Sequence, residues 1–493
     1  MQIVLTGTGF SGATTVQLNG ATIQTSFVSA TQLTATVPAA SLASLGWAPI
    51  TVSNPAPGGG TSSPLPLTVF SVLNVGASHI LYDPYSRKIM ASVGTGTSSV
   101  AGNSIVAITP DNASIGTAIP IGGTPTRLAL TSDGQILYAL IPSSTIGSIA
   151  RFKMLTQQPD FTVSGFQATG YELGLDGIAT QPGTENTIAV DAGQYIGMSI
   201  FDFDPISKTA ARRGVATGIY AGGPCIVFPN ASSLFLTGGS TLNTYSVTSN
   251  GLLNGSYPYY VSSSLQYFGC SKLDGGILYA GPGGVANANL YPAVQLGTFE
   301  GLMGIDNGVT VGAWAPDTSL GQFFYLTEAN PNDYSGIFDS ITAFNNQTFM
   351  PTTAIPLPVT AIEGTTRVTG VDVVRWGRDG VAILSSGGRI YLIRGGAIVP
   401  QLLNVNSAVI LTASSLTSTT HGTGNTSITL TGSNFVPGVA VLWNGSYRTT
   451  TIMDPTHVSV AIPASDLAQA GIAVITAVNP GAPASAPLTF SIN

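Results

Sequence analysis

Charge is what this 493-residue chain has least of. Asp, Glu, Lys and Arg make up 8% of it, against about 25% in ordinary globular proteins. Fifteen basic residues stand against 22 acidic ones, leaving a net charge of −7. Phosphate-backbone binding needs clustered Lys and Arg. An isolated pair such as Arg212-Arg213 is not a cluster, so nucleic acid is not an expected partner. Cysteine is nearly absent: Cys225 and Cys270 make neither a disulfide framework nor a zinc signature. They stand 45 residues apart, which leaves open two buried thiols or a bridge between neighbouring repeats. No run of about 18 apolar residues occurs, so no membrane span is expected. Met1 leads straight into strand-like Gln2-Ile3-Val4-Leu5 with no basic or apolar leader, so a secretion signal is expected outside this sequence.

Histidine is scarce too. His79, His421 and His457 are the only three, and no Gly-x-Ser-x-Gly elbow joins a strand to a helix. Serine-hydrolase chemistry has nothing to stand on.

What the chain does have is 60 Gly, 31 Pro and 44% hydrophobic residues. Disordered chains are normally highly charged and poor in large apolar residues. Here the apolar residues fall in short alternating runs, which predicts many short strands joined by tight turns. The length calls for two to four domains.

The two ends repeat each other. Ile-Val-Leu-Thr-Gly-Thr-Gly-Phe at 3–10 matches Ile-Thr-Leu-Thr-Gly-Ser-Asn-Phe at 428–435, an offset of 425. The same offset carries Asn19-Gly20 onto Asn444-Gly445, Pro38 onto Pro463, Leu42 onto Leu467 and Asn54-Pro55 onto Asn479-Pro480. Asn-Gly between alternating runs predicts a hairpin, because both residues tolerate positive φ. The stretches Pro38–Gly46 and Pro463–Gly471 predict one helical turn with Leu42 and Leu467 facing inward. Leu-Thr-Gly-x-x-Phe, the Asn-Gly hairpin, the Pro-Ala-x-x-Leu turn and the Asn-Pro after Ile-Thr resemble the IPT/TIG family of immunoglobulin-like domains. That resemblance implies a β-sandwich at 1–70 and another at 406–493. It implies little about activity, since such domains occur in transcription factors, receptor ectodomains, starch-acting enzymes and bacterial surface proteins. The C-terminal copy has strand-like residues Ala408–Ala413 ahead of the match, whereas the N-terminal copy begins at Met1. Its first strand is therefore expected to be missing, either because the chain has been shortened or because a neighbouring subunit donates it.

Between the ends, 71–405 carries a looser repeat with a turn in each unit. The turns are Pro84-Tyr85-Ser86-Arg87, Ser132-Asp133-Gly134, Gln181-Pro182-Gly183, Pro229-Asn230-Ala231, Leu273-Asp274-Gly275, Pro316-Asp317-Thr318 and Arg378-Asp379-Gly380. Asp133 and Asp274 stand 141 residues apart, three periods of 47. A period in the forties with four strands per unit predicts a β-propeller, of about seven blades. Ile105–Pro110, Ile121-Gly122-Gly123-Thr124-Pro125 and Ala129–Gly134 followed by Leu137-Tyr138 resemble the bacterial surface-layer-type (YVTN-like) propeller repeat. Segments 328–340 and 351–370 read as irregular insertions in the sixth blade. The closing strand is expected from 67–75 or from 396–404.

The expected fold is thus all-β: a propeller of about seven blades flanked by two IPT/TIG sandwiches. Candidate chemistry is sparse. Arg375, Trp376 and Arg378, with Asp372 and Asp379, form the densest charged and aromatic group; it reads as a ligand grip or as an ion-pair network closing the last blade. Asp202 and Asp204 share one strand face and read as exposed acids or as a glycosidase pair. Glu328, Asn330, Asn332, Asp333 and Asp339 are oxygen-rich but lack calcium-loop spacing, so no metal site is expected. Tyr257, Tyr259, Tyr260, Tyr267 and Phe268 suit sugar stacking or a blade core. Sequons occur at Asn112, Asn230, Asn254, Asn346, Asn425 and Asn444, a number that chance supplies in so polar a chain. No cofactor and no catalytic residue is expected. No Asp, Glu, Lys or Arg precedes Asp83, and from 407 onward only Arg448, Asp454 and Asp466 occur. Uncharged ends invite contact. The expected role is a non-enzymatic extracellular or cell-surface structural or adhesive protein, with self-assembly into a filament or array as one form of it. A glycan- or ligand-binding propeller and a propeller lyase are the alternatives.

Overall fold

The computed structural model describes residues 1–167 (except 58, 95, 98, 144 and 145), 177–191, 198–214, 226–238, 241–254, 271–280, 284–287 and 294–299. It further describes 314–327 (except 319), 338–364 (except 347), 368–395 (except 378), 408–478 (except 436–438, 449 and 455) and 484–493.

The N-terminal domain is a two-layered sandwich. Gln2–Thr6 pairs antiparallel with Gln32–Thr36, with Ile3 opposite Ala35 and Leu5 opposite Leu33. The long strand Ala21–Ser29 joins the layers by pairing first with Thr15–Leu18 and then with Gln32–Thr36. The second layer continues through Gly46–Asn54, which also pairs with Leu65–Val69. Period-two alternation sends Val16, Leu18, Leu33, Ala35 and Ile50 into one core. Asn19 and Gly20 have φ of 51° and 78°, and Asn444 and Gly445 have 51° and 80°; this is the two-residue turn that Asn-Gly favours. A single 3-10 turn covers Ala39–Leu42 and another Ala464–Leu467. The C-terminal domain has sheets 410–414, 426–433, 457–462, 450–454 and 418–419, 488–492, 471–478, 440–443, 446–448. Trp443 and Phe490 fill its centre with ring centroids 5.1 Å apart.

Among the described residues, the middle of the chain forms seven antiparallel sheets: five of four successive strands, a first one of five, and a last one of three successive strands joined by a fourth from the start of the region. The first strand of each is innermost: Ala77–Asp83, Arg127–Leu130, Gly177–Thr180, Ile226–Asn230, Ser271–Asp274, Trp314–Asp317 and Gly370–Trp376. Each inner strand lies beside the next, and Gly370–Trp376 returns to Ala77–Asp83, closing a ring. This is a β-propeller, with blades numbered below in chain order. Blade faces are apolar and pack on the next blade, as Val381, Ile383 and Tyr391 of blade 7 do on Phe324, Ile341 and Ile355 of blade 6.

Hydrogen bonds tie the first hairpin turns of adjacent blades together. Tyr85 Oη donates to Ser132 O at 2.8 Å, Gly183 N to Ser132 Oγ at 3.1 Å, and Thr318 N and Oγ1 to Asp274 Oδ2 at 2.6 and 2.8 Å. A second tie runs from Tyr138 Oη to Glu185 O at 2.8 Å. The turn residues singled out in the sequence therefore join blades as well as reversing the chain.

The last blade is completed by Ser71–Asn74, whose Leu73 sits opposite Ile390 on the third strand, Arg389–Arg394. Of the two expected sources for the closing strand, the first supplies it; 396–404 lies outside the described residues. Gly76 has φ +71°, and a Cβ there would sit 3.0 Å from the Gly96 backbone, so only glycine admits the chain where one end of the ring turns into blade 1. Phe70 alone separates the N-terminal domain from this strand, and it packs on Tyr391 with centroids 6.4 Å apart. Leu45 packs into the core between blades 7 and 1, and the Gly395 backbone abuts Trp47.

Segment 351–370 is not an insertion throughout. Pro351–Pro356 is the outer strand of blade 6, and Val359–Glu363 is a short helix. Proline at both ends disguised the strand; an outer edge needs no donor on its free side, so it tolerates proline.

Candidate functional site

The inner strands bring together polar and titratable side chains from distant parts of the sequence. His79 comes from blade 1, Arg127 from blade 2, Lys272 from blade 5, Trp314 from blade 6 and Asp372 from blade 7. His79 and Arg127 occupy matching places on their strands, each four residues before the end of its first-hairpin ladder, where Asp83 and Thr131 lie. Lys272 Nζ reaches two blades onward, donating to Trp314 O at 2.7 Å, to Asp372 Oδ1 at 2.6 Å and to Val373 O at 2.7 Å. All three ammonium hydrogens are thereby used. Asp372 Oδ2 lies 3.6 Å from His79 Nε2.

Burial pushes the His79 imidazole down to about 4, Arg127 and Lys272 push the same way, and Asp372 opposes them. At neutral pH the ring is therefore uncharged. His79 Nδ1 and Trp314 Nε1 are buried with no hydrogen-bond partner among the described residues. Burying a polar atom unpaired costs about 1–3 kcal/mol, and here two such atoms lie beside one ion pair. Nothing in the sequence pattern singled out His79 or Lys272, because their strands are linked only by ring closure.

The expected site residues are placed otherwise. Arg375 Nε donates to Asp317 Oδ2 at 3.0 Å, and its guanidinium lies 5.2 Å from the Phe324 ring. Trp376 is 1% exposed and lies in the core between blades 7 and 1, with the Arg394 guanidinium 5.3 Å from its ring. Arg394 also bonds Asp379 of its own blade and Asp111 of blade 1. Arg378 lies outside the described residues. Asp372 turns to the inner-strand cluster and away from Arg375, so the structure divides what the sequence groups.

Asp202 and Asp204 also part company. Burial would raise Asp202, but paired bonds from Arg213 at 2.6 Å and one from Thr187 Oγ1 at 2.7 Å hold it below the usual carboxylate range. Asp204 caps its turn, accepting from Ile206 N at 2.8 Å and Ser207 Oγ at 2.7 Å. Asp274 is pushed up by burial and is committed to Thr318. Asn346 Nδ2, the nitrogen of one sequon, donates to Tyr279 Oη and Gln322 O, both at 3.0 Å. Cys225, Cys270, Glu328, Asn330, Asn332, Asp333 and the Tyr257–Phe268 aromatics lie outside the described residues. Among the described residues, no cluster of His, Cys, Asp and Glu is arranged to hold a metal ion, and no helix is long and apolar enough to cross a membrane.

The architecture is thus a β-propeller between two immunoglobulin-like sandwiches. The IPT/TIG domain model matches residues 2–69 and 411–492; both end domains belong to that family. A search of curated proteins found no significant match. Among solved structures, hydrazine synthase of Kuenenia stuttgartiensis is similar at 12% identity, covering 66% of this chain and 97% of that one with a TM-score of 0.44. A functionally unknown protein from Desulfotomaculum acetoxidans is similar at 13% identity, covering 62% and 92% with a TM-score of 0.40. Scores this low place no function on the chain; the propeller rests on its strand order. IPT/TIG domains with a propeller fit a surface or adhesive module.

Proposed function

We propose that this chain is a non-enzymatic extracellular or cell-surface protein with a structural or adhesive role, assembling with itself through its end domains into a filament or array. One observation carries the reading: no Asp, Glu, Lys or Arg precedes Asp83, and three occur from 407 onward, so nearly all charge lies on the propeller. Isolated soluble domains keep apart by interspersed charge. The end domains instead expose Val4, Phe27 and Val28 at one end and Ile410 and Ile472 at the other. The acids that a lyase would need support the non-catalytic reading, since Asp202, Asp317 and Asp379 are each engaged by an arginine. Light scattering with negative-stain electron microscopy, at about 0.15 M and about 1 M salt, tests the proposal. Uncharged contacts are not screened, so ordered particles should persist at both concentrations. Dispersed monomers at every protein concentration would overturn it.

A second reading, a glycan- or small-ligand-binding propeller, is favoured by His79 Nδ1 and Trp314 Nε1, which are buried without a hydrogen-bond partner among the described residues. A glycan array followed by titration of any hit against His79→Gln and Trp314→Phe variants separates the two. Saturable binding lost in both variants would favour ligand binding.

A further inference from the structure

The Asn-Gly turn occurs in both end domains, and its two copies are fastened differently. In the C-terminal domain, Asn444 is bonded twice to Val474 on the neighbouring strand. Its N–H donates to Val474 O at 2.8 Å, and its side-chain Oδ1 accepts from Val474 N, also at 2.8 Å. The offset of 425 carries Val474 onto Pro49, and the ladders agree, with Leu18 opposite Ile50 and Trp443 opposite Ile475. Asn19 N donates to Pro49 O at 3.0 Å. The second bond cannot form there, because proline has no N–H. Among the described residues, the Asn19 side chain makes no hydrogen bond in its place.

The turns are otherwise alike. Asn19, Gly20, Asn444 and Gly445 are all exposed, their φ values match, and a Cβ on either glycine would meet nothing within 4 Å. Further Asn-Gly pairs begin at 250, 254 and 307, but these two share one turn in two related domains.

Asparagine followed by glycine has a chemistry of its own. The glycine nitrogen, unobstructed by a side chain, attacks the asparagine Cγ. A new N–Cγ bond forms, the nitrogen's proton passes to water, and the side-chain nitrogen leaves as ammonia. Water then adds to either carbonyl of the cyclic imide and opens it, giving aspartate or isoaspartate with no change of oxidation state. Closing the ring needs a rotation about the asparagine Cα–C bond that the left-handed hairpin turn does not hold. Each turn must therefore open first, and whatever fastens it slows the reaction.

We propose that Asn19 is a site of self-modification, converted to aspartate and isoaspartate faster than Asn444 because Pro49 leaves its side chain unfastened. The product puts a carboxylate into a stretch with no Asp, Glu, Lys or Arg before Asp83. Isoaspartate also adds one carbon to the backbone between Leu18 and Ala21, which pair across the turn, so the hairpin loses its fit. The site thus turns an uncharged end domain into a charged one, irreversibly and without an enzyme. This conversion does not depend on whether the chain assembles.

The full chain is incubated at mildly alkaline pH, and peptide mapping by mass spectrometry follows Asn, Asp and isoaspartate at both turns. The same course is run in urea. Dividing each unfolded rate by the native one gives the protection of that turn and removes the influence of the neighbouring Ala21 and Ser446. One hydrogen bond is worth between about twofold and about tenfold, so Asn19 should be less protected than Asn444 by that factor. Pro49→Val restores the N–H and should raise the protection of Asn19 to about that of Asn444. Val474→Pro should lower Asn444 to about the level of Asn19. Equal protection of the two turns in the wild type, or greater protection of Asn19, would overturn the proposal. So would a Pro49→Val chain whose N-terminal domain melts unchanged while its Asn19 converts as fast as before.

Discussion

Neutral His79 makes propeller stability depend on pH in a calculable way. Its folded pKa is about 4 and its unfolded one 6.5, so between those values the unfolded chain binds more protons. Stability therefore rises with pH through this window and is lost as pH falls through it. From pH 7 to pH 4.5 the linkage amounts to about 2 kcal/mol. For a cooperative unit of roughly 300 residues, at about 2.1 cal/mol/K per residue, that is about 3 °C in Tm. The comparison is between the wild-type chain and His79→Gln, by calorimetry at both pH values and constant ionic strength. Gln keeps a polar side chain that does not titrate, so its propeller transition should fall by about 3 °C less than that of the wild type. Carboxylates titrate alike in both chains and cancel. Parallel pH profiles would refute the reasoning, since they would show that His79 titrates normally and that its burial among Arg127, Lys272 and Asp372 does not hold in solution.

Lys272→Met removes the ammonium bonded to Asp372 Oδ1; breaking a partly buried pair from one side should cost about 3 kcal/mol, read as a lowered propeller midpoint in urea, with part recovered by adding Asp372→Asn. Trp443→Ala should cost about 3–5 kcal/mol and unfold the C-terminal domain in its own early transition, leaving the propeller transition in place. Leu73→Asp places a charge in the ladder that closes the ring and should lower the propeller midpoint, whereas the same change at the exposed Leu155 should not; intrinsic fluorescence during denaturation distinguishes them. Arg375→Met removes the guanidinium that donates to Asp317 Oδ2 and lies over the Phe324 ring and should destabilise the propeller by about 3 kcal/mol, measured by the same denaturation.

The local patterns were legible because short-range physics sets them. Asn19-Gly20 announced its turn through φ alone, and the 425-residue echo exposed both sandwiches. The turn at Asp133, where Thr131 Oγ1 donates at 2.6 Å and Gln135 N at 3.0 Å, was visible as Ser-Asp-Gly. Partnerships made by ring closure were not. Lys272 and Asp372 are 100 residues apart, and no periodicity says that a lysine will pass one blade to reach the next. Trp376 misled for a related reason: alternation along Gly370–Trp376 puts Asp372, Val374 and Trp376 on one face, but the charges nearby hid that this face is packed on blade 1. Pro351–Pro356 was hidden by prolines that an outer strand accepts.

The closing strand also decides how the molecule carries tension. The N-terminal domain joins the propeller at Ser71, and the C-terminal side of the ring leaves after Arg394. In the ladder Ser71 is opposite Leu392, so both departures are at the same corner of blade 7. A pull on the two ends does not stretch the ring. It first strips Leu45 and Trp47 from their seats, then peels Ser71–Asn74 away from Arg389–Arg394 one rung at a time. Blades 1 to 6 stay outside the path of the force, so an array of such chains under load would yield at this seam first, leaving most of each propeller folded.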